Sequence, residues 1–287
     1  MSRLTVFLCA LFFSLASSAE PLRIAHRGGT GDAPENTVVA IEKSLANGAD
    51  AIWVTVQLSR DRVPVLYRPV DLDALTDLKG AVSGRTADEL ARADAGWKSG
   101  GTDHPWRGKG IAVPSLELVL ERFRDVPFFL DIKSPDADPS DMAEALAAVL
   151  RRTTSLARSR VYSTDGRYLD ALPRDVQRFE SRDLTRTALA LSAMAHRCEL
   201  PVGNGERWFG LELKRDVEVV EKYTLGEARS KAQLVWDKEA MECFRSKGDV
   251  RVVLFGINSE ADYRQAKALG ADAVMIDSPQ QFRAIPR

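Results

Sequence analysis

The amino-acid sequence predicts a single α/β domain folded as a (βα)8 TIM barrel. The 287 residues are 45% hydrophobic and 28% charged, which is enough apolar material for one large core. Short runs rich in β-branched and aromatic residues recur, and most are followed by a helix-like stretch, as in proteins with parallel sheets. No Pro/Ser-rich linker interrupts this alternation. The pattern therefore favours about eight strand–helix units closed into one barrel.

The first βα units are the clearest in the sequence. Leu22–His26 is a short apolar strand, and the helix after it begins near Asn36 or Thr37, either of which is a suitable N-cap. Ile52–Leu58 and Val63–Tyr67 are predicted as the second and third strands. Together they predict one helix crossover followed by two strands joined by a short connection.

A long polar loop is predicted after the third strand, over residues 68–114. It is rich in Gly, Asp and Trp and exceeds an ordinary βα connection, so we expect it to serve a function. Helices are predicted over 115–124 and Met142–Leu150. A solvated charged face is predicted at Lys214-Arg215 and Glu218–Lys222, and a helix start at Gly226-Glu227-Ala228-Arg229. The remaining predicted strands are Phe128–Lys133, Arg160–Ser163, Val176–Glu180, Phe209–Leu213, Val250–Ile257 and Ala273–Ile276.

The N-terminus has the order of a secretory signal peptide over residues 1–19. Arg3 supplies a positive start, an apolar run extends to Leu15, and small residues precede a cleavage point after Ala19. The run is too short for a transmembrane helix, which needs roughly 20 residues. We therefore expect a mature barrel domain of residues 20–287, periplasmic or secreted, with no transmembrane segment after cleavage.

Charge and cysteine content limit the partners of this mature domain. Loss of Arg3 reduces the 40 basic side chains to 39, against 41 acidic ones. A balanced chain has no bulk attraction for nucleic acid, so we expect no nucleic-acid partner. Cys198 and Cys243 remain, and an oxidising compartment allows one disulfide between them, although two buried thiols fit the spacing equally well.

Polar residues stand where the first predicted strand ends, which is where barrel enzymes collect their chemistry. His26-Arg27-Gly28-Gly29 suits phosphate chemistry. Histidine exchanges a proton near neutral pH, arginine binds two phosphate oxygens, and glycine lets the backbone approach. Glu35 adds a carboxylate that suits a hard cation. Taken alone the His-Arg pair is a weak signal, because a histidine in a loop is as common.

A series of motifs from Ile24 nearly to Pro279 makes the signal specific. They are Ala25-His26-Arg27-Gly28, Ala33-Pro34-Glu35-Asn36-Thr37, Asn47-Gly48-Ala49-Asp50-Ala51-Ile52, Val63-Pro64-Val65, Leu75-Thr76 with Gly80, Asp131-Ile132-Lys133, Phe255-Gly256-Ile257-Asn258, Gly270-Ala271-Asp272-Ala273 and Ile276-Asp277-Ser278-Pro279. In this order they resemble the glycerophosphodiester phosphodiesterase family. The resemblance implies a barrel that hydrolyses glycerophosphodiesters to an alcohol and glycerol 3-phosphate, usually with Ca²⁺ or Mg²⁺.

The sequence departs from the family pattern at the positions that hold the metal and the second histidine. The family's Glu-x-Asp on the second strand is replaced by Trp53 and Thr55. The second histidine, which ends the third strand and precedes an aspartate, is replaced by Arg68 followed by proline. On the fourth strand the family's Glu-x-Lys becomes Asp131 and Lys133. Two carboxylates and one histidine are therefore lost, and one arginine is gained.

These departures predict that arginine takes over the role of the metal. Glu35 and Asp131 alone would give at best a weak Ca²⁺ or Mg²⁺ site, because hard cations prefer several oxygen ligands. Arg68 is expected to project into the same barrel mouth, where a guanidinium neutralises a phosphoryl group through two hydrogen bonds. Bacterial phosphatidylinositol-specific phospholipases C, which are also barrels, resemble this solution, since they work without calcium and use an arginine.

Two functional hypotheses follow. In the first, the protein hydrolyses a glycerophosphodiester or a lysophospholipid, with His26 as general acid or base and Arg27 and Arg68 at the phosphoryl group. Lys133 and Asn258 are predicted to bind the substrate. In the second, the barrel binds phosphate-containing headgroups without turnover, because the family's metal ligands and second histidine are absent. Packing of the mouth residues with no ligand is disfavoured, because several cations cluster with a histidine.

Overall fold

Ten β-strands and nine α-helices lie along residues 20–286, the part of the chain that this computed structural model describes. The strands are β1 (Leu22–Ala25), β2 (Ala51–Leu58), β3 (Pro64–Leu66), β4 (Phe128–Ile132), β5 (Ser159–Ser163), β6 (Arg207–Glu212), β7 (Lys214–Tyr223), β8 (Gly226–Val235), β9 (Val250–Phe255) and β10 (Ala273–Ile276). The helices are α1 (Val38–Ala46), α2 (Ala87–Leu90), α3 (Leu116–Arg122), α4 (Pro139–Arg152), α5 (Gly166–Asp170), α6 (Arg182–Ala195), α7 (Lys238–Arg245), α8 (Glu260–Ala268) and α9 (Pro279–Phe282). The predicted signal peptide lies outside the described residues. None of these helices is long and apolar enough to cross a bilayer.

Seven parallel strands and one irregular segment form the barrel. The strands are hydrogen-bonded in the order β5-β4-β2-β1-β10-β9-β6. Residues 176–180 fill the gap between β5 and β6, because the Phe179 amide donates to the carbonyl of Val161 and the Glu180 amide to that of Trp208, each at 2.8 Å. These seven strands and segment 176–180 are the eight staves of the barrel, and they close the ring. The predicted (βα)8 barrel is confirmed.

The predicted third strand is not one of these staves. β3 pairs antiparallel with β2, with Val56 opposite Leu66. Only residues 59–63 connect the two strands, whereas a parallel pair needs a crossover of a dozen residues or more, so the connection permits only a hairpin. The long loop predicted after this strand is present. It carries its own small apolar cluster, which includes Leu72, Val82 and Leu90.

The predicted helix start at Gly226 is wrong, because this residue begins the second strand of a hairpin. β7 and β8 pair along their whole length, from Lys214 opposite Val235 to Tyr223 opposite Gly226. The alternation of charged residues with valine from Asp216 to Val219 is the period-two signal of a strand, and the charge density obscured it. The hairpin is inserted directly after β6, at the carboxyl end of a barrel stave.

Aromatic side chains fill the barrel interior beneath its mouth. Trp53 is 2% exposed, and its ring centroid lies 5.1 Å from those of Tyr162 and Phe255, 5.9 Å from Phe179 and 6.0 Å from Phe129. Several of these pairs are tilted or edge-to-face, an arrangement that adds about 0.5–1.5 kcal/mol per pair to the burial of apolar surface. The position at which the resembling family carries a carboxylate is therefore part of a packed apolar floor.

Candidate active site

A cavity of about 420 Å³ opens at the carboxyl ends of the barrel strands. Five of the predicted site residues line it: His26, Arg27, Arg68, Asp131 and Lys133. They converge although they are distant in sequence, because the carboxyl ends of all parallel staves face the same rim. The cavity floor includes Trp53 and Phe255 from the aromatic core.

A 3-10 turn directly after β1 positions His26 and Arg27. Arg27 has φ 51°, in the left-handed region that residues other than glycine adopt infrequently. Its carbonyl accepts the amide of Asn36 at 2.7 Å, and its Nη1 donates to Glu35 Oε2 at 2.6 Å. Gly29, at φ 102°, has no room for a Cβ, which would lie 2.1 Å from a serine oxygen of α1. Contacts on both sides of the turn thus hold Arg27 in this conformation.

His26 forms a pair with Asp277, which follows β10. The Nδ1 atom of His26 lies 2.6 Å from Asp277 Oδ1. This hydrogen bond holds the pKa of the Asp277 carboxyl below its usual range, so the group is ionised at neutral pH. A carboxylate on Nδ1 fixes the orientation and tautomer of the ring. Nε2 is consequently the nitrogen left for proton exchange with a ligand in the cavity.

Asn258, predicted to bind the substrate, contacts Asp277. Its Nδ2 donates to Asp277 Oδ2 at 3.0 Å, and its Oδ1 accepts the Asp277 amide at 3.2 Å. Asn258 is not among the residues that line the cavity. Asn258 therefore positions the Asp277 carboxylate, which in turn orients the His26 ring. The motif around Asp277 at the end of the last strand was the sequence signal for this pair.

The two predicted metal ligands are each paired with a cation. Glu35 accepts from Arg27, as described, and also from the Thr30 hydroxyl at 3.2 Å. Asp131 Oδ1 lies 3.4 Å from Lys133 Nζ, and burial raises the pKa of this aspartate. Glu35 Oε1 and Asp131 Oδ1 are buried without a hydrogen-bond partner.

This donor set does not fit Ca²⁺ or Mg²⁺. In residues 20–286, no three His, Cys, Asp or Glu side chains converge as they would around a metal ion. These cations take about six or more oxygen ligands, usually with several carboxylates. Here Glu35 lies behind Arg27 and outside the lining of the cavity, while Asp131 adjoins the ammonium group of Lys133. A divalent cation bound by Glu35 and Asp131 would therefore lie beside two positive side chains, Arg27 and Lys133, which repel it.

Arg68 and Lys133 are the cations best placed to meet an anion in the cavity. Arg68 is exposed at the rim, and its guanidinium has no hydrogen bond or ion pair within residues 20–286. Lys133 Nζ donates to Thr164 Oγ1 at 2.9 Å, which leaves further N–H donors. A phosphodiester in the cavity would therefore find an unpaired guanidinium and an ammonium group beside His26.

A second charged group, not predicted from the sequence, lines the same cavity. Arg182 donates through Nη2 to both oxygens of Glu212 at 2.8 Å and through Nη1 to the Tyr162 hydroxyl at 2.9 Å. Arg215 Nη1 donates to Glu212 at 3.0 Å. Arg215 was interpreted as part of a solvated face. The signal that could have found it is its position two residues after the end of the predicted barrel strand Phe209–Leu213.

The model of the glycerophosphoryl diester phosphodiesterase family matches residues 26–281. An uncharacterised protein of Mycobacterium tuberculosis, Rv2277c, is 42% identical over 279 residues, covering 94% of this chain and 92% of the relative. A glycerophosphodiester phosphodiesterase of Bacillus subtilis is 26% identical over 287 residues, covering 96% of this chain and 89% of its own length.

Solved structures show the same barrel. The crystal structure of the glycerophosphoryl diester phosphodiesterase domain of Rv2277c has a TM-score of 0.86 at 41% identity, covering 92% of this chain and 98% of that domain. A phosphodiesterase of Oleispira antarctica, solved with its product sn-glycerol 3-phosphate, has a TM-score of 0.67 at 21% identity, covering 92% and 96%. The second likeness extends to the fold alone.

Proposed function

The chain belongs to the glycerophosphoryl diester phosphodiesterase family, and we propose that it hydrolyses glycerophosphodiesters with guanidinium groups in the place of a resident divalent cation. One observation carries this proposal. The unpaired Arg68 shares a cavity with His26, whose ring is oriented by an ionised Asp277. A general acid–base group and a positive charge for the phosphoryl oxygens are therefore present without a metal ion.

A single histidine supports hydrolysis if it works in two steps. In the first step the neighbouring hydroxyl of the glycerol attacks phosphorus, its proton passes to His26 Nε2, and the bond to the alcohol breaks. His26 returns that proton to the departing alcohol, which leaves a cyclic glycerol phosphate. In the second step water attacks phosphorus and gives a proton to Nε2. Nε2 then donates this proton to the glycerol oxygen that leaves phosphorus as the cyclic phosphate opens. Arg68, Arg27 and Lys133 stabilise the phosphorane-like charge in both steps.

Turnover is expected to survive removal of divalent cations. We expect kcat/KM for glycerophosphodiester hydrolysis to be the same in EDTA as in added Ca²⁺ or Mg²⁺, because the positive charges of the site are covalent parts of the chain. The measurement is release of the alcohol from glycerophosphodiesters with anionic, neutral and cationic alcohols by purified residues 20–287, with a phosphodiesterase that needs Ca²⁺ as the control for effective chelation. Activity that appears only with added metal would contradict the proposal.

A binding protein without turnover is the second candidate. The packed Trp53 favours it, because this side chain fills the position of a family metal ligand. In that case no phosphodiester is hydrolysed under any metal condition. Glycerol 3-phosphate would then raise the melting temperature of the wild type, and this rise would be absent in Arg68→Ala.

We also propose that the domain acts outside the cytoplasm. The support is the predicted signal peptide together with the bond between Cys198 and Cys243, whose sulfur atoms are 2.06 Å apart. Such bonds persist in oxidising compartments and are rare in reducing ones. The bond joins the segment after α6 to α7.

Loss of this disulfide is expected to destabilise the domain and to leave its chemistry intact. For a sequence separation of 45, the chain-entropy model gives about 4 kcal/mol as the free energy of unfolding lost in the Cys198→Ala, Cys243→Ala variant. Urea denaturation of this variant and of the wild type, with and without reductant, measures the difference. Equal stability of oxidised wild type and variant would show that the bond does not form in the protein.

A further inference from the structure

We propose that the cavity contains a second anion subsite, formed by Arg182 and Arg215, so that the alcohol half of the substrate carries a negatively charged group. A carboxylate and a second phosphate share the required chemistry. This inference rests on the proposed function and deepens it, because it specifies which glycerophosphodiesters the cavity accepts. The two arginines have no task in the chemistry assigned to His26 and Arg68.

The order of the staves places the two groups on opposite walls. Around the closed ring, β1 and segment 176–180 are four staves apart in either direction. His26 follows the first of these staves directly, and Arg182 comes two residues after the second. Arg215 follows β6, the adjacent stave. Since all three line one cavity of about 420 Å³, a ligand that reaches from wall to wall touches both groups.

The far wall presents guanidinium groups and no free carboxylate. Both Glu212 oxygens accept from Arg182, and one of them also accepts from Arg215. One carboxylate therefore serves two guanidinium groups, and a positive charge remains uncompensated. The Arg182 side chain is 14% exposed and fixed by Tyr162, whereas the Arg215 side chain is 42% exposed and accessible to a ligand.

A substrate with a neutral or cationic alcohol provides no anion for the guanidinium groups of Arg182 and Arg215. A phosphodiester has a single negative charge, and Arg68 and Lys133 beside His26 already provide donors for it. An ammonium group at the other end would meet two guanidinium groups and a carboxylate with both oxygens engaged. A carboxylate or phosphate there gains charge-assisted hydrogen bonds in a partly enclosed site.

A variant that cannot hydrolyse the ligand allows binding at the subsite to be measured separately from catalysis. In a His26→Ala background, calorimetry compares glycerophosphoserine with glycerophosphoethanolamine, which differ by one carboxylate. We expect glycerophosphoserine to bind about tenfold more tightly. The ratio should fall to about twofold or less when Arg215→Gln is added. Arg229→Gln, an exposed arginine of β8 paired with Glu218 and Glu227, is the matched control and should keep the full ratio.

A second ligand pair identifies the anionic group. Glycerophosphoinositol and its 4-phosphate form differ by one phosphate, so a larger ratio for this pair than for the first assigns the subsite to phosphate. Equal or weaker binding of both anionic ligands, or a ratio unchanged by Arg215→Gln, would overturn the inference. Neither result affects the proposed function, which depends on turnover by the wild type. If no ligand binds at all, the subsite is refuted as well.

Discussion

Replacing His26 with alanine is expected to lower kcat/KM for glycerophosphodiester hydrolysis by about 10³-fold. His26 is the proton carrier in both proposed steps. Its Nδ1 is held by Asp277 at 2.6 Å, so Nε2 is the ring nitrogen that exchanges the proton with the ligand. The measurement is steady-state release of the alcohol by wild type and variant under the same metal-free conditions. The loss should fall mainly on kcat, because the cations that bind the phosphoryl group are unchanged.

Two companion variants separate chemistry from structure. Asp277→Asn keeps the shape of the pair but removes the carboxylate that orients the ring, and we expect a smaller loss of about 10²-fold. His196→Ala is the matched control, since this histidine is 75% exposed, caps α6 and pairs with Glu239, and neither residue lines the cavity. Its activity should equal that of the wild type. A His26→Ala protein that retains wild-type activity would remove His26 from the mechanism.

Replacing Arg68 with alanine is expected to lower kcat by about 10²-fold to 10³-fold. Its guanidinium is the unpaired positive charge at the rim, and it stands where the family carries a second histidine. Charge that develops on the phosphoryl oxygens in the transition state would lose its main donor. Arg68→Lys should recover only part of the rate, because an ammonium group cannot provide the planar pair of hydrogen bonds. Steady-state kinetics of the three proteins measures the order.

A control on the same hairpin tests whether position or total charge matters. Arg60→Ala removes an exposed arginine that pairs with Glu89 and lies outside the cavity. It should leave kcat and KM unchanged. Should Arg68→Ala raise KM while kcat stays constant, Arg68 contributes equally to binding substrate and transition state, and the claim that it replaces the metal in catalysis would be lost.

Local patterns were sufficient for most of the barrel and for one side of the site. The alternation of apolar runs with amphipathic stretches predicts the staves, since side-chain period reports directly which face is buried. The turn at His26-Arg27 is predictable from the sequence, because Gly28-Gly29 and Pro34 follow it. Trp53 and Arg68 are likewise visible as departures from a family pattern, with no need for coordinates.

Relations between distant residues were decided only by the tertiary structure. The antiparallel direction of the strand Val63–Tyr67 is an exception, because its short connection to β2 already permits only a hairpin. Segment 176–180 becomes the eighth stave only through its backbone hydrogen bonds to β5 and β6.

The second wall of the cavity has the same origin. His26 and Asp277 are 251 residues apart, and Arg182 and Glu212 are 30 apart, yet ring closure brings all four to one rim. Charged residues after strand ends look alike in a sequence whether they face solvent or a cavity. The fold class and the residues that can bind and protonate a phosphodiester follow from local sequence patterns. The closed barrel determined which charges face one another across the mouth, because contact is a property of position in the ring and not of local pattern.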